Sequence, residues 1–225
     1  MDNLTDRERQ IYKSLRQQYG LPTTQAQLRQ DLAIADNQSS YDFNFLKENA
    51  DALPEVRLNR TDIFAATRIG MYMFQVTIGQ EARGVLQTYP NQVHFADNAS
   101  PTHLELFYNG IMTSKVNNTI IYEKFPTRKF RAVPQAQETA AVKNSEQTWK
   151  DGMIPVEPRI ILNGNQKNEF SVKVPLFSAA AVAAATSATI KNYLVLVLEG
   201  FLISGAADKH SMELNRKQAA RMHRA

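Results

Sequence analysis

The chain has 225 residues, with 26 Lys and Arg against 22 Asp and Glu for a formal charge of +4, and 43% of its residues are hydrophobic. That is enough apolar material for one sizeable core, and the absence of cysteine excludes disulfides, thiolate catalysis and cysteine-ligated zinc. The charge is uneven: residues 1–53 carry six basic and eight acidic side chains, for −2, and residues 206–225 carry five and two, for +3.

The N-terminus, polar and mixed in charge, lacks the basic-then-apolar pattern of a secretory signal. Thr5-Asp-Arg-Glu8 fits a capping box, and Ile11, Leu15 and Tyr19 recur every four residues until Gly20 and Pro22 stop the helix. Thr24-Gln-Ala-Gln27 repeats the start signal, with Leu28 and Leu32 on one side, so residues 1–53 are expected to form a helical N-terminal arm. Tyr41, Phe43, Phe45 and Leu46 add an aromatic patch that has to dock on a neighbour or on the domain itself.

From Pro54 the hydrophobic period changes to two. Val56, Leu58 and the run from Ile63 to Thr77 read as strands, with Gly70 as a bend or bulge. Further strands are expected at 84–88, 92–96, 103–109, 111–116, 119–125, 129–133, 159–162, 169–174 and 192–203. Three apolar runs close on a glycine, at Gly110, Gly164 and Gly200, as strands entering tight turns do. Asn117-Asn118 and Asn163-Gly-Asn165 are turn-like connectors. About ten short strands without long intervening helices predict antiparallel pairing, most simply a jelly-roll-like β-sandwich over residues 54–205.

Pro134–Gly152, polar and holding the sole tryptophan, Trp149, reads as a contact loop. Ser178–Thr189 is built from Ala, Ser and Thr with one Val. It is too short and too weakly apolar for a membrane-spanning helix, and reads as a connector between the last two strands. Residues 206–225 form a helical or disordered basic C-terminal tail, in which Lys209, Arg216, Lys217, Arg221 and Arg224 are candidate contacts to a polyanion.

No residue set carries evident chemistry. The four histidines, at 94, 103, 210 and 223, lack zinc-site spacing. Acids such as Glu55, Asp62, Glu81, Glu157 and Glu199 fit a solvated face or a turn rather than a catalytic pair, and no Gly-x-Ser-x-Gly elbow occurs. No catalytic, cofactor or metal residue is assigned, and a non-enzyme is expected. Lys124, Arg128, Lys129 and Arg131, interleaved with Phe125 and Phe130, resemble a stacking surface for single-stranded nucleic acid. The same pattern arises whenever an amphipathic strand places Phe inward and Lys or Arg outward, and that is the preferred reading.

Helical arm, strand block, Ala-rich connector and basic tail together resemble the layout of viral jelly-roll capsid proteins. Phe107-Tyr-Asn-Gly110 and Arg159-Ile-Ile-Leu-Asn-Gly164 are similar to strand-turn units in coat proteins of tailless bacteriophages. The resemblance spans about residues 54–205 and implies a self-assembling virion structural protein, made in the host cytoplasm. Its partners would be copies of itself, other virion proteins, and the viral genome or an internal membrane at the tail. Two alternatives come from other residues. Leu4 to Ile11 followed by Thr24 to Leu32 resembles the opening helices of winged-helix DNA-binding domains. A carbohydrate- or ligand-binding β-sandwich would use Tyr72, Tyr108, Tyr122 and Trp149 as stacking platforms.

Overall fold

In the computed structural model, residues 4–35, 38–47, 55–90, 95, 104–133, 152–175 and 190–207 are described. One helix, α1 (Asp6–Tyr19), precedes eight strands: β1 (Thr23–Ala33), β2 (Ser40–Asn44), β3 (Ile63–Thr77), β4 (Ile111–Val116), β5 (Thr119–Pro126), β6 (Ile154–Asn163), β7 (Asn168–Lys173) and β8 (Ile190–Ile203). They pair as two antiparallel four-stranded sheets, β1-β8-β3-β6 and β2-β7-β4-β5.

The start of α1 follows its sequence signal. Thr5 Oγ1 accepts the Glu8 amide at 3.3 Å, and Glu8 Oε2 accepts the Thr5 amide at 2.8 Å, so two orphan donors of the first turn are satisfied reciprocally. Gly20, with φ 61°, closes the helix by donating to the Arg16 carbonyl at 2.9 Å, in the left-handed conformation that favours glycine. Leu15 and Tyr19, with Leu4, lie on Ile63, Ala65, Phe201 and Ile203 of the first sheet.

The second helix expected from Thr24 is instead the edge strand β1, in register with β8 from Thr23 opposite Ile203 to Ala33 opposite Tyr193. A spacing of four, as between Leu28 and Leu32, shares a face at period 2 as well as at period 3.6, and pairing along all of β1 decides between them. In β2, Tyr41 and Phe43 point into the core, and Phe45 follows just beyond the strand. The aromatic patch therefore docks inside its own domain, and the β-sandwich takes in β1 and β2, which were expected in a helical arm.

The core lies between the sheets. Phe64, Ala66, Ile69, Met71 and Met73 of β3 and Leu194, Leu196 and Leu198 of β8 meet Phe43, Met112, Phe170 and Val172 from the other sheet. In β3 the inward positions are even-numbered up to Ala66 and odd-numbered from Ile69, because the register slips between Ala66 and Arg68. One extra residue reverses which face each side chain takes. It places Tyr72 and Phe74 on the outer face beside Val195 and Val197.

β3 passes straight through Gly70, and its irregularity sits at Thr67 instead. Gly200, expected in a turn, lies inside β8 opposite that slip. A Cβ there would stand 2.0 Å from the Ala65 carbonyl oxygen, so glycine is required by close backbone approach. The strand expected at 103–109 gives way to the 3-10 turn Leu106–Asn109, the one expected at 129–133 overlaps the 3-10 turn Thr127–Phe130, and residues 84–88 contribute only a bridge from Gln87 to Met73. Phe107, Tyr108 and Phe130 are buried there: an apolar run fixes burial, not period. Asn117 and Asn118, with φ 45° and 66°, form the two-residue β4–β5 turn, as expected of such hairpins.

Candidate functional site

The outer face of sheet β1-β8-β3-β6 carries a row of charged and aromatic contacts. At one end α1 is bolted on by charge as well as by packing. Glu8 pairs with Arg68 at 3.1 Å, Arg7 pairs with Glu157 at 3.2 Å, and Arg7 also donates to the Val156 carbonyl at 2.6 Å. Beside the helix, a cleft of about 370 Å³ is lined by Glu8, Arg68, Gln25, Gln27, Glu199 and Phe201, among others. Two carboxylates reach this cleft, but Glu8 is held by Arg68 and by the helix cap.

At the far end of the same face, the Phe74 and Tyr193 rings stack at 4.8 Å with planes 6° apart. The Arg29 guanidinium lies 5.7 Å from the Phe74 centroid and pairs with Asp31 through two hydrogen bonds of 2.8 Å. Glu55 accepts the Asp31 amide at 3.1 Å and holds Arg57 at 2.8 Å. Residues 55–58 bridge the edge of β1 at Val56 and the segment after β2 at Leu46, closing that side of the sandwich. Tyr193 donates to Glu81 at 3.1 Å. Partial burial and the Glu81 carboxylate push the Tyr193 hydroxyl up to about 12. The Gly79 amide is the main cause holding Glu81 below the usual carboxylate range.

The opposite side of the sandwich is latched by Tyr122. Its hydroxyl accepts the Glu157 amide at 2.7 Å and donates to the Glu157 carbonyl at 2.9 Å, so an edge position of β6 is capped by a side chain. Edge strand β5 carries Glu123 and Lys124, both exposed. Two register slips interrupt its pairing with β4, and Lys124 stands at φ 54°. Charge, a bulge and twist are devices that discourage edge-to-edge pairing.

The basic-aromatic stretch resolves as an amphipathic edge. Phe130 is buried and Phe125 half-buried, with ring centroids 5.6 Å apart. Lys124, Arg128, Lys129 and Arg131 face solvent. Lys129 sits 5.0 Å above the Phe125 ring, and Arg131 forms a two-pronged pair with Glu105 at 2.7 and 2.9 Å. Hydrogen bonding to Glu105 raises the Arg131 pKa further.

Of the platform tyrosines, Tyr72 and Tyr108 are buried, at 1% and 2% exposure, and offer no ring to a sugar. Burial raises the Tyr108 hydroxyl well above its ordinary value. The winged-helix opening is not formed, because β1 stands where its second helix would be. Among the acids, Asp62 is buried and accepts from Asn59, Thr61 and Gly205, a role that no local sequence signal marks. The basic tail residues Lys209, Arg216, Lys217, Arg221 and Arg224, the four histidines, Trp149 with its loop up to Asp151, and the Ala-rich stretch lie outside the described residues.

Among the described residues no group of three or more His, Cys, Asp or Glu is placed to hold a metal ion, and no helix is long and apolar enough to cross a membrane. No protein-family model and no curated protein sequence matches the chain.

Proposed function

We propose that this protein is a virion structural subunit, a capsid or capsid-associated protein, that assembles with copies of itself through a jelly-roll sandwich. The strand order carries the reading. If the chain is laid out as one long hairpin with its tip between β4 and β5, the natural pairs are β1 with β8, β2 with β7, β3 with β6 and β4 with β5, and all four are observed. Wrapping that hairpin around a barrel adds β8 with β3 and β7 with β4, the two remaining pairs. This strand order supports the jelly-roll reading, an architecture that recurs in viral shells and in lectins.

The distribution of surface features supports the shell over the lectin. Two of the four residues a sugar platform would use, Tyr72 and Tyr108, are buried. The edge of β5 is charged and bulged, and β6 is capped by Tyr122, an arrangement that suits side-by-side packing of sandwiches rather than continuation of a sheet. In this reading many modest, symmetric contacts add up to a closed assembly. The basic tail supplies salt-dependent attraction to a polyanion, and the protein resides in the virion.

The test is the mass of the purified protein across a concentration series, by light scattering behind a sizing column, with particles imaged by electron microscopy. Trimers, pentamers, hexamers or closed particles are expected. A species that stays monomeric at high concentration would overturn the proposal.

A further inference from the structure

The solvent face of α1 carries cations in a row. Arg9, Lys13 and Arg16 are exposed and line one shallow groove of about 430 Å³ with Leu4, Tyr12 and Gln17. Along the helix axis they are spaced by about 6 and 4.5 Å, the same order as the charge spacing along a nucleic-acid strand. Of the carboxylates near them, Glu8 is turned to Arg68, and the exposed Asp6 meets Arg9 itself at 3.5 Å, a solvent-exposed pair that a phosphate would have to displace. Arg16 lies 5.8 Å from the Tyr12 ring centroid, which holds its guanidinium at the groove.

A second observation points the same way. The last described residues, Ala206 and Ala207, are buried in the cluster that seats α1, and the Ala207 amide donates to the Thr61 carbonyl at 3.0 Å. The chain thus leaves the fold beside α1. Beyond Ala207 the sequence carries Lys209, Arg216, Lys217, Arg221 and Arg224 against Asp208 and Glu213. The basic tail therefore starts on the side of the sandwich that holds the helix.

We propose that the exposed face of α1 is a docking surface for the phosphate backbone of a nucleic acid, with Arg9, Lys13 and Arg16 as its contacts. The other face of the helix excludes an anionic bilayer as the better partner. Leu15 and Tyr19 are buried on sheet β1-β8-β3-β6 with Ile11 packed beside them, which leaves Leu4 and the edge of Tyr12 as the apolar groups at the groove, whereas a helix lying on a membrane needs a broad apolar face to bury in lipid. Gln10, Gln17 and Gln18, also exposed, add neutral hydrogen-bonding groups of the kind that position a backbone without reading sequence. This extends the polyanion reading from the tail to the folded domain and does not depend on shell formation.

The experiment is fluorescence anisotropy of a labelled mixed-sequence DNA duplex with the full chain, between about 50 and 200 mM salt. It is repeated with R9Q/K13Q/R16Q, which keeps good helix formers at solvent positions, and with a variant in which the five tail cations are changed to Gln. Circular dichroism confirms that each variant is folded. The helix variant is expected to bind about tenfold or more weakly, without regard to sequence, and its log–log salt slope should shrink by about 2 to 3. An unchanged slope in the helix variant, with all loss confined to the tail variant, would overturn the α1 assignment and leave the tail reading standing. Binding to vesicles of phosphatidylglycerol and phosphatidylcholine without binding to DNA would overturn the choice of nucleic acid.

Discussion

The Asp62 carboxylate accepts the backbone amide of Gly205 at 2.9 Å across 143 residues of sequence, joining the start of β3 to the end of β8. Its other partners are the Thr61 hydroxyl and the Asn59 side-chain amide, each at 3.0 Å. The Asp62 carbonyl accepts the Gly164 amide at 2.9 Å, so three connections at one end of the sandwich converge on one buried residue. Asp62→Ala leaves the Gly164 bond to the backbone carbonyl in place but strands the three donors to the carboxylate, and is expected to cost about 2–4 kcal/mol. Asp62→Asn keeps one carbonyl acceptor and should cost about half as much. Urea unfolding with an unchanged m-value checks both, and a loss under about 0.5 kcal/mol for the alanine variant would show that the hub is idle.

Gly200 tests the slip in β3. Gly200→Ala puts a Cβ 2.0 Å from the Ala65 carbonyl oxygen and 2.9 Å from the Ala66 Cα, against backbone that has nowhere to go. The expected loss is about 3 kcal/mol. Gly20→Ala meets nothing within 4 Å but must hold φ near +61°, so its loss should be about 1 kcal/mol. The order of the two thermal midpoints is the readout, and equal losses would show that the contact at Gly200 relaxes freely.

Lys124 makes the converse case. It stands at φ 54° in the bulge of β5, where a side chain is strained and glycine is not. Lys124→Gly is expected to raise stability by about 0.5–1 kcal/mol after the entropy of the unfolded glycine is counted, and Lys124→Val to lower it by more than that. Removing the charge from an edge strand also weakens its protection, so the glycine variant should be more stable and more prone to self-associate, which thermal melts and light scattering separate.

These sites show where the sequence is readable. The capping box at Thr5, the stop at Gly20 and the Asn117-Asn118 turn are local chemistry, complete within a few residues. So is most strand alternation, which places Tyr41 and Phe43 inward. β1 was not legible as a strand, because Leu28 and Leu32 satisfy both periods and its strand character comes from β8, well over a hundred residues away. The slip at Thr67 and the need for Gly200 exist only once β3, β6 and β8 are side by side. The candidate surface was half legible: cations on α1 are visible in the sequence, but which of them face solvent depends on what the helix covers.

Tyr193 and Glu81 give the fold a pH signature. The Tyr193 hydroxyl is pushed up to about 12, so the native state favours its protonated form. The stability this supplies is fully present below the ordinary tyrosine value of about 10 and is lost as pH rises through about 12. Glu81 is shifted the other way; its contribution is present above the ordinary glutamate value and fades as pH falls through the depressed one. In an alkaline absorbance titration, Tyr193→Phe should remove a late step. Glu81→Gln, which removes the neighbouring negative charge, should move that step earlier. Loss of a step near the ordinary value in Tyr193→Phe would contradict the Tyr193–Glu81 hydrogen bond.

Truncation separates the helix from the sandwich. Deleting residues 1–22 removes α1 and uncovers Ile63, Ala65, Phe201 and Ile203 but leaves all eight strands. The product should keep its β-sheet circular dichroism, bind a hydrophobic dye and aggregate, as exposed apolar patches cause. Deleting residues 1–53 also removes β1, paired with β8 along its whole length, and β2, the edge partner of β7. It takes Tyr41, Phe43 and Phe45 out of the core, where each buried aromatic contributes about 2–3 kcal/mol. Domains are stable by only about 5–15 kcal/mol in total, so this shorter chain is expected not to fold. A cooperative thermal transition in residues 54–225 would mean that the strands from β3 to β8 suffice for the core, and that β1 and β2 are added to a domain already formed.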